Sequence, residues 1–427
     1  MNRSRAITRG LLLGALFATA ASAQNSETVT AIRAGNLLDV TSGEWTANAV
    51  ILIQDGTIVE VGPAIAVPDG ATVVDLSDYY VLPGLIDTHT HLLLQPDYPD
   101  NNPILHKWIS YRTVEGVAAA RATLMAGFTT IRDIDSEGAD WADVAIRDGI
   151  DDGLIVGPRM QVATRAISIT AGHMNQSNVA PELEVPQFSA IADTPAELVR
   201  AVRTQIKYGA DFIKLYTTGT LRHIDSETME VLSQYSFEEI RLVVEEASRF
   251  GKDVAVHAYG GEGAKQAVRA GARSIEHGFL LDDEVLDLMV RNGTFWVPTM
   301  VVYIPDAPSE EWEPLRETII ASHRDVFRRA MQKGVRIAFG TDAGAFAHGD
   351  NFRELELMVD YGMQAVDVIR SATVEAADLM RLSHSVGSIE PGKLADVIAV
   401  HADPLQDIEA FRDVAFVMKG GRVYKQN

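Results

Sequence analysis

The chain has 427 residues, of which 47% are hydrophobic, and its 59 acidic and 37 basic side chains give a formal charge of −22. Such a surface repels nucleic acid and anionic membranes, so neither is an expected partner. Because the sequence contains no cysteine, disulfide bonds, thiol catalysis and a lipid anchor on cysteine are all excluded.

The first 23 residues have the pattern of a signal peptide. Three arginines within residues 3–9 precede an apolar run at 11–17, and a small-residue cleavage site ends at Ala23. The apolar run is too short to cross a bilayer as a helix. We therefore predict that residues 1–23 are removed on export, that the mature protein is periplasmic or secreted, and that it contacts no membrane afterwards.

Both flanks of the mature chain, residues 24–80 and 386–427, consist of short β-type runs separated by turns. In the first flank, Val50–Gln54 and Ile58–Val61 surround the turn pair Asp55-Gly56. Because such turns join the strands of hairpins, we predict that the two flanks combine into one small β-sandwich domain.

The residues between the flanks, 81–385, repeat one pattern in which a helix ends at a glycine and a short apolar run follows. Glycine supplies the left-handed residue that ends a helix, and the apolar run has the pattern of a buried strand. Capping boxes open the helices that follow Thr194 and Ser236. This alternation indicates an α/β fold, and eight strands favour a (β/α)8 TIM-like barrel over a doubly wound sheet. The predicted strands are 81–86, 128–133, 159–163, 212–216, 254–257, 274–277, 294–298 and 335–342.

Potential metal ligands stand at the ends of five of these strands. Taken singly, each has an ordinary explanation, such as a hydrogen-bonded core histidine, a paired core lysine or an aspartate that caps a loop. A barrel gathers the carboxyl ends of its strands at one mouth, so their joint placement predicts a metal site there. In strand order the candidates are His89 and His91, Lys214, His257, His277, and Asp342.

The motifs around these candidates are those of a known family. The chain closely resembles the amidohydrolase superfamily. Within it, the chain is similar to the imidazolonepropionase-related branch, which includes Xaa-Pro dipeptidase-like enzymes and ochratoxin-hydrolysing amidohydrolases. The motifs are PGLIDTHTH at 83–91, DFIK at 211–214, VHA at 256–258, IEHG at 275–278, TDAG at 341–344 and GSIEPGKLAD at 387–396.

The resemblance implies a centre of two divalent ions, with Zn²⁺ as the expected metal. The two histidines after the first strand would hold the more buried ion together with Asp342, and His257 and His277 would hold the second. Lys214 would bridge the ions as an N6-carboxylated lysine, because an ammonium only donates hydrogen bonds whereas a carbamate is an oxygen anion. Zinc suits this set of nitrogen and oxygen ligands, although cobalt or manganese could substitute.

The resemblance also implies a reaction. Water activated as hydroxide by the metals would attack a scissile carbonyl, and Asp342 would carry the proton to the leaving nitrogen. We expect a small-molecule substrate with an amide bond to a C-terminal amino acid: a dipeptide, an N-acyl amino acid or an ochratoxin A-like amide. The alternative is an imidazolonepropionase-like hydrolase of cyclic amides or lactones. A non-catalytic metal-binding assembly protein is less favoured because none of the metal ligands is lost. We also expect a homo-oligomer.

Loops at the strand ends would select the substrate. Tyr216 faces the same side as Lys214 and could donate a hydrogen bond to a substrate carboxylate or to an oxyanion. His173 and His348 follow the third and eighth strands, where both could contact substrate. Arg165 and Arg222 are candidate carboxylate clamps, because guanidinium pairs bidentately with carboxylate. The alternative for all five is that they are ordinary polar loop residues.

Overall fold

The computed structural model of the protein describes residues 29–97, 102–176, 179–304 and 313–427. The predicted signal peptide, residues 1–23, lies outside the described residues. Within them, no helix combines the length and the apolarity that a membrane span requires.

The described residues contain sixteen strands and eleven α-helices. The strands are β1 Thr30–Asp39, β2 Glu44–Gln54, β3 Thr57–Pro63, β4 Thr72–Pro83, β5 Leu85–Thr90, β6 Phe128–Asp133, β7 Arg159–Val162, β8 Ile167–Ser168, β9 Ala190–Ile191, β10 Ile213–Tyr216, β11 Val254–Gly260, β12 Ser274–Leu280, β13 Phe295–Val297, β14 Val397–Val400, β15 Val414–Lys419 and β16 Arg422–Gln426. The helices are α1 Pro103–His106, α2 Ile109–Met125, α3 Ala142–Asp151, α4 Pro195–Lys207, α5 Phe237–Ser248, α6 Gly261–Ala270, α7 Asp283–Asn292, α8 Glu313–Lys333, α9 Phe352–Asp360, α10 Ala365–Arg370 and α11 Ala376–Leu379.

Both ends of the chain build one seven-stranded sheet. Its order is β16-β15-β14-β4-β1-β2-β3, so the C-terminal strands join the N-terminal ones through the β14–β4 pair. The predicted hairpin around Asp55-Gly56 is confirmed as the antiparallel pair β2–β3. The prediction that the two flanks form one unit is therefore confirmed for the sheet.

The two layers of this sandwich come from a single sheet that curls back on itself. Ile58 in β3 donates its N–H to Lys393 O at 2.8 Å, and Ala395 donates to Gly56 O at 2.9 Å, although β3 and β14 are four places apart in the sheet. The curl encloses a core of its own. Its buried members include Ile32, Ile51, Leu76, Val81, Val397 and Phe416.

The barrel is formed by two sets of parallel strands and one irregular segment. Strands β5, β6 and β7 form the first set, and β8 to β13 form the second. Residues 335–343 connect the ends of the two sets, because Ile337 bridges Trp296 of β13 and Ala343 bridges Thr90 of β5. The α/β barrel class is confirmed, with a large buried core and with α-helices between most successive strands, although the described residues contain none between β7, β8 and β9.

Two strand predictions are wrong in detail. Val81–Pro83 end strand β4 of the curled sheet rather than starting the barrel, because they pair with β14. The first barrel strand begins at Leu85, after a single glycine. The predicted eighth strand at 335–342 is not a regular strand and makes only isolated bridges to its neighbours.

Gly84 is the single residue that connects strand β4 of the curled sheet to barrel strand β5. A Cβ at this position would lie 2.2 Å from Thr129 Oγ1, closer than atoms can pack. The sheet and the strand that carries the first histidines are therefore joined without a linker.

The predicted helix starts at Thr194 and Ser236 are confirmed. Each side chain accepts a hydrogen bond from the backbone N–H three residues later, and the glutamate at that position bonds back to the cap. These reciprocal bonds satisfy backbone donors that a helix start would otherwise leave unpaired.

Candidate metal centre

A cavity of about 410 Å³ opens at the carboxyl ends of the barrel strands. Its wall brings together side chains that are far apart in sequence, from His89 to Ala345. The predicted site residues that line it are His89, His91, His173, Lys214, Tyr216, His257, His277 and Asp342. We call His89 and His91 the first half of the site, and His257 and His277 the second half.

Asp342 lies between the two halves. Its Oδ1 is 3.6 Å from His89 Nε2 and 3.0 Å from His91 Nε2, while its Oδ2 is 3.9 Å from His277 Nδ1. One ligand atom each from His89, His277 and Asp342 lies within 4.8 Å of the others, so these three could hold one metal ion. The Asp342 N–H donates to His89 O at 2.7 Å, which fixes the carboxylate against the first half.

The imidazole of His89 is oriented by a buried carboxylate. His89 Nδ1 lies 2.8 Å from Glu276 Oε2, and Arg132 Nη2 donates to Glu276 Oε1 at 2.8 Å. Burial opposes ionisation of Glu276, but Arg132 and His89 outweigh it and lower the pKa of this carboxyl to about 2. Burial lowers the pKa of His89 to about 4. A neutral ring that donates from Nδ1 presents the Nε2 lone pair to the cavity, as a metal ligand must.

His91 stands between two carboxylates. Its Nδ1 is 2.9 Å from Glu137 Oε1, and its Nε2 is 3.0 Å from Asp342 Oδ1. Burial alone would lower the pKa of His91, but these two carboxylates raise it well above its usual range. Both histidines of the first half therefore have a carboxylate close to Nδ1, which is a hydrogen bond at His89 and an ion-pair contact at His91.

The second half has weaker support. His277 Nδ1 is 2.8 Å from Thr299 Oγ1, and neither ring nitrogen of His257 has a hydrogen-bond partner in the described part of the chain. Burial, followed by the charges of neighbouring imidazoles, lowers the pKa of both rings. The rings are 4.6 Å apart, and that of His173 lies 4.0 Å from His257.

Lys214 is buried in the wall of the cavity. Burial lowers its pKa to about 8, against the opposing charges of Glu276 and Asp342. A lysine with a lowered pKa has a larger fraction of neutral amine at neutral pH. Because the neutral amine is the form that can react with carbon dioxide, this environment suits the predicted carboxylation.

The residues fit a metal centre by their chemistry. His89 Nε2 and both ring nitrogens of His257 are buried and lack a hydrogen-bond partner among the described residues. Buried polar atoms without partners are costly, and an ion at these nitrogens would remove that cost. Imidazole and carboxylate donors together are a set that zinc and similar divalent ions accept.

Three of the predicted substrate residues lie outside the cavity wall. Arg165 Nη2 donates to the carbonyls of Gln187 and Ser189 at 2.8 and 2.9 Å, which ties it to its own loop. His348 Nε2 lies 3.1 Å from Leu94 O. Arg222 is exposed on a short 3-10 turn. None of these three side chains is among the described residues that line the cavity, and their proposed contact with substrate stays a prediction.

The two other predicted contacts do line the wall. Tyr216 donates its hydroxyl proton to Asp135 Oδ2 at 2.8 Å, so that proton is already engaged. His173 lies against both Tyr216 and His257, and burial lowers its pKa to about 3.

Several residues that shape the site could not be recognised from the sequence pattern. Glu137, Tyr259 and Tyr303 line the cavity, while Glu276 and Thr299 contact the ligand histidines from behind. Glu276 could have been recognised in the sequence, because a carboxylate inside the apolar strand β12 is unusual. Glu137 and Thr299 follow strands β6 and β13, whose ends contributed no candidate.

The fold and the site together define a barrel hydrolase. The chain belongs to the Amidohydrolase family, which matches residues 80–424. It is 33% identical to an ochratoxinase of Aspergillus niger over 429 aligned residues, covering 93% of this chain and 87% of the relative. A solved Xaa-Pro dipeptidase with methionine bound in its active site has a TM-score of 0.84 and 36% identity, over 93% of this chain and 100% of the other. An imidazolonepropionase of Caldanaerobacter subterraneus subsp. tengcongensis is 24% identical over 393 residues, covering 86% of this chain and 87% of the relative.

These relatives confirm the predicted family and branch. They also support an amide hydrolase that acts on small molecules. The number and identity of the metals, the lysine modification and the substrate stay predictions.

Proposed function

We propose that the protein is a binuclear metal-dependent hydrolase that cleaves the amide bond to a C-terminal amino acid. The observation that carries this proposal is the convergence of four histidines, one lysine and one aspartate from five strand ends on one cavity. The similarity to an ochratoxinase and to an Xaa-Pro dipeptidase supports the amide and its C-terminal amino acid. Dipeptides, N-acyl amino acids and ochratoxin A-like amides form the proposed substrate class.

The two halves would hold one divalent ion each, most favourably Zn²⁺. Asp342 would join the first half, and Lys214, carboxylated at its amine, would contribute to both ions. When bound, such ions polarise a carbonyl and lower the pKa of water towards neutrality. Carboxylation of Lys214 replaces a cation among the ligands by an oxygen anion, which removes a repulsive charge from the site.

Asp342 is the proposed proton carrier. Burial opposes its ionisation, but the neighbouring His89 and His91 outweigh burial and lower its pKa, so it is a carboxylate at neutral pH. The carboxylate accepts the proton of the attacking water and delivers it to the nitrogen of the departing amino acid. No acyl-enzyme is needed for this sequence of events.

The cavity has the size and polarity for such a substrate. About 410 Å³ lies in the range of small-molecule sites. Part of the wall is apolar and aromatic. It includes Met174, Leu221, Tyr259, Val302 and Tyr303. An apolar side chain of the substrate fits this wall better than a charged one.

Amino acid release measures the proposed function directly. The purified protein should contain two divalent ions per chain and release the C-terminal residue from a panel of dipeptides and N-acyl amino acids. Chelation should abolish release, and Zn²⁺ with bicarbonate should restore it. A chain that binds no metal and cleaves no member of the panel would contradict the proposal. Cyclic amides and lactones in the same panel test the alternative substrate class.

Export and self-association are part of the same proposal. Residues 1–23 should be absent from the protein recovered outside the cytoplasm, which mass spectrometry of the mature N-terminus can establish. Light scattering during size-exclusion chromatography should show a homo-oligomer. A monomer at all concentrations would contradict the second point.

A further inference from the structure

Glu137 is a carboxylate of the cavity wall to which the proposed mechanism assigns no task. It is only 2% exposed. Its Oε1 lies 2.9 Å from His91 Nδ1, whereas its Oε2 is buried without a hydrogen-bond partner among the described residues. A buried carboxylate oxygen without a donor is unfavourable. A molecule in the cavity that offers an N–H to this oxygen would therefore be stabilised.

The loop that carries Glu137 is held in place by its backbone. Arg112, itself 1% exposed, donates Nη2 to the Glu137 carbonyl at 2.8 Å, and Glu137 N donates to Asp135 Oδ1 at 3.1 Å. Glu137 has a φ of +51°, a left-handed conformation that residues other than glycine adopt only when neighbouring contacts impose it. The carboxylate is therefore positioned before a substrate enters.

The charges in the wall favour a cation at Glu137. Among the described lining residues, the carboxylates are Glu137 and Asp342, and Asp342 is in contact with the first half of the site. The basic side chains of the wall are Lys214 and histidines. Glu137 thus lines the cavity, and one of its carboxylate oxygens receives no hydrogen bond from the described residues.

The position of Glu137 defines which cation it can reach. Glu137 and Asp342 contact opposite nitrogens of His91, at 2.9 and 3.0 Å, so the two carboxylates are separated by the imidazole ring together with both of these contact distances. In a dipeptide, one carbon atom separates the α-amino nitrogen from the scissile carbonyl carbon. A dipeptide that places that carbonyl at Asp342 and extends alongside the His91 ring would direct its α-ammonium group towards Glu137. An N-acyl amino acid has no charge at this place.

We propose that Glu137 binds the free α-ammonium group of a dipeptide and makes the protein a dipeptidase in preference to an N-acyl amino acid hydrolase. This assignment rests on the proposed function, because it selects one of the substrate classes included there. Glu137 is then a specificity-determining residue, with Oε1 on His91 and Oε2 on the substrate.

A matched pair of substrates tests this role. Ala-Phe and N-acetyl-Ala-Phe contain the same scissile bond and differ in the charge at the amino group. With the metal-loaded enzyme, we expect Glu137→Gln to lower kcat/KM for Ala-Phe about thirtyfold, mainly through KM, since one charge-assisted hydrogen bond is lost. The value for N-acetyl-Ala-Phe should change less than about threefold. Equal losses for both would mean that Glu137 acts only through His91 and would overturn the proposal.

Glu60→Gln is the control, because it replaces a glutamate by a glutamine at another position of the chain. Glu60 is exposed on strand β3 of the curled sheet, remote from the cavity. This variant should leave both rates unchanged.

Equilibrium binding separates this proposal from the proposed function. In titration calorimetry, the ketomethylene analogue of Ala-Phe should bind the wild type at least about tenfold more tightly than it binds Glu137→Gln. The N-acetylated analogue should bind both proteins alike. Equal affinity of the wild type for the two analogues would overturn the ammonium site. If this binding difference is present but neither peptide is cleaved, the proposed function fails and the ammonium site stands.

Discussion

The two halves of the candidate metal centre differ in what lies behind their imidazoles. In the first half, both Nδ1 atoms face carboxylates, from Glu276 and Glu137. In the second half, one Nδ1 faces the Thr299 hydroxyl, and His257 has no hydrogen-bond partner in the described part of the chain. A carboxylate at Nδ1 raises the basicity of the opposite nitrogen and fixes the ring, whereas a hydroxyl does so less. The rings of the first half are therefore the ones that buried carboxylates orient.

This difference shows that the four histidines predicted to bind metal are not equivalent in their surroundings. The imidazole rings of the second half can change orientation more easily than those of the first half, because fewer contacts fix them. We expect its ion to exchange more readily than that of the first half.

Removal of the residue proposed to connect the halves should have the largest effect. We expect Lys214→Ala to lose at least about 10⁴-fold in kcat/KM, which corresponds to about 5 kcal/mol of transition-state stabilisation. Its metal content should fall to about one ion per chain or less. Elemental analysis and the release assay measure both quantities. Lys207→Ala, an exposed change on helix α4, is the control, and two ions at full occupancy in Lys214→Ala would refute the bridge.

Asp342→Asn tests the group between the halves. The substitution keeps the shape of the side chain but removes the proton acceptor, so we expect a fall of about 10³-fold in kcat. The thermal unfolding midpoint should be close to that of the wild type, which calorimetry would establish. Near-normal hydrolysis by this variant would exclude Asp342 as proton carrier.

Two conservative variants compare the supports of the halves directly. Glu276→Gln should weaken metal binding at the first half about 10- to 100-fold, because the charge behind His89 is lost. Thr299→Val should weaken binding at the second half less than about tenfold, since only a neutral hydroxyl is removed. Competition with a fluorescent zinc chelator gives both affinities. A larger effect of Thr299→Val would reverse the proposed ranking.

The smallest effect is expected from Tyr216→Phe. The hydroxyl already donates to Asp135, so its loss should reduce kcat/KM for a substrate with a free carboxylate less than about tenfold. A C-terminally amidated analogue distinguishes two roles. A loss confined to the free carboxylate supports the predicted contact with substrate, and an equal loss for both analogues assigns Tyr216 to the support of Asp135.

The sequence was sufficient to predict which strand ends meet. Hydrophobic periodicity and glycine C-caps located the barrel strands, and strand ends in a barrel share one mouth, so His89 and Asp342 could be placed together without a structure. The boundary at Gly84 was missed because the apolar run continues without interruption from β4 into β5. Only hydrogen-bond pairing shows that Val81 belongs to the sheet.

The supporting contacts were not predictable in the same way. Whether an arginine reaches a cavity or a nearby carbonyl depends on loop conformation, and Arg165 reaches the carbonyls of Gln187 and Ser189. Glu137 was missed for a related reason. The backbone of Glu137 is in a left-handed conformation, which places its side chain in the cavity wall. A glutamate in the sequence gives no indication of this conformation.

The link between the first barrel strand and the irregular eighth segment has a consequence for the order of assembly. Asp87 and Thr341 are hydrogen-bonded across 254 positions of sequence, so the contact that places Asp342 beside His89 closes a loop of almost the whole barrel. Closing so long a loop is slow because its entropy is lost before other contacts compensate for it. A nascent chain that ends before this segment has its histidine pair but lacks the carboxylate between the halves. The complete set of candidate ligands can therefore come together only after synthesis has passed the eighth segment, so we expect the proposed centre to take up its metals late in the life of the chain.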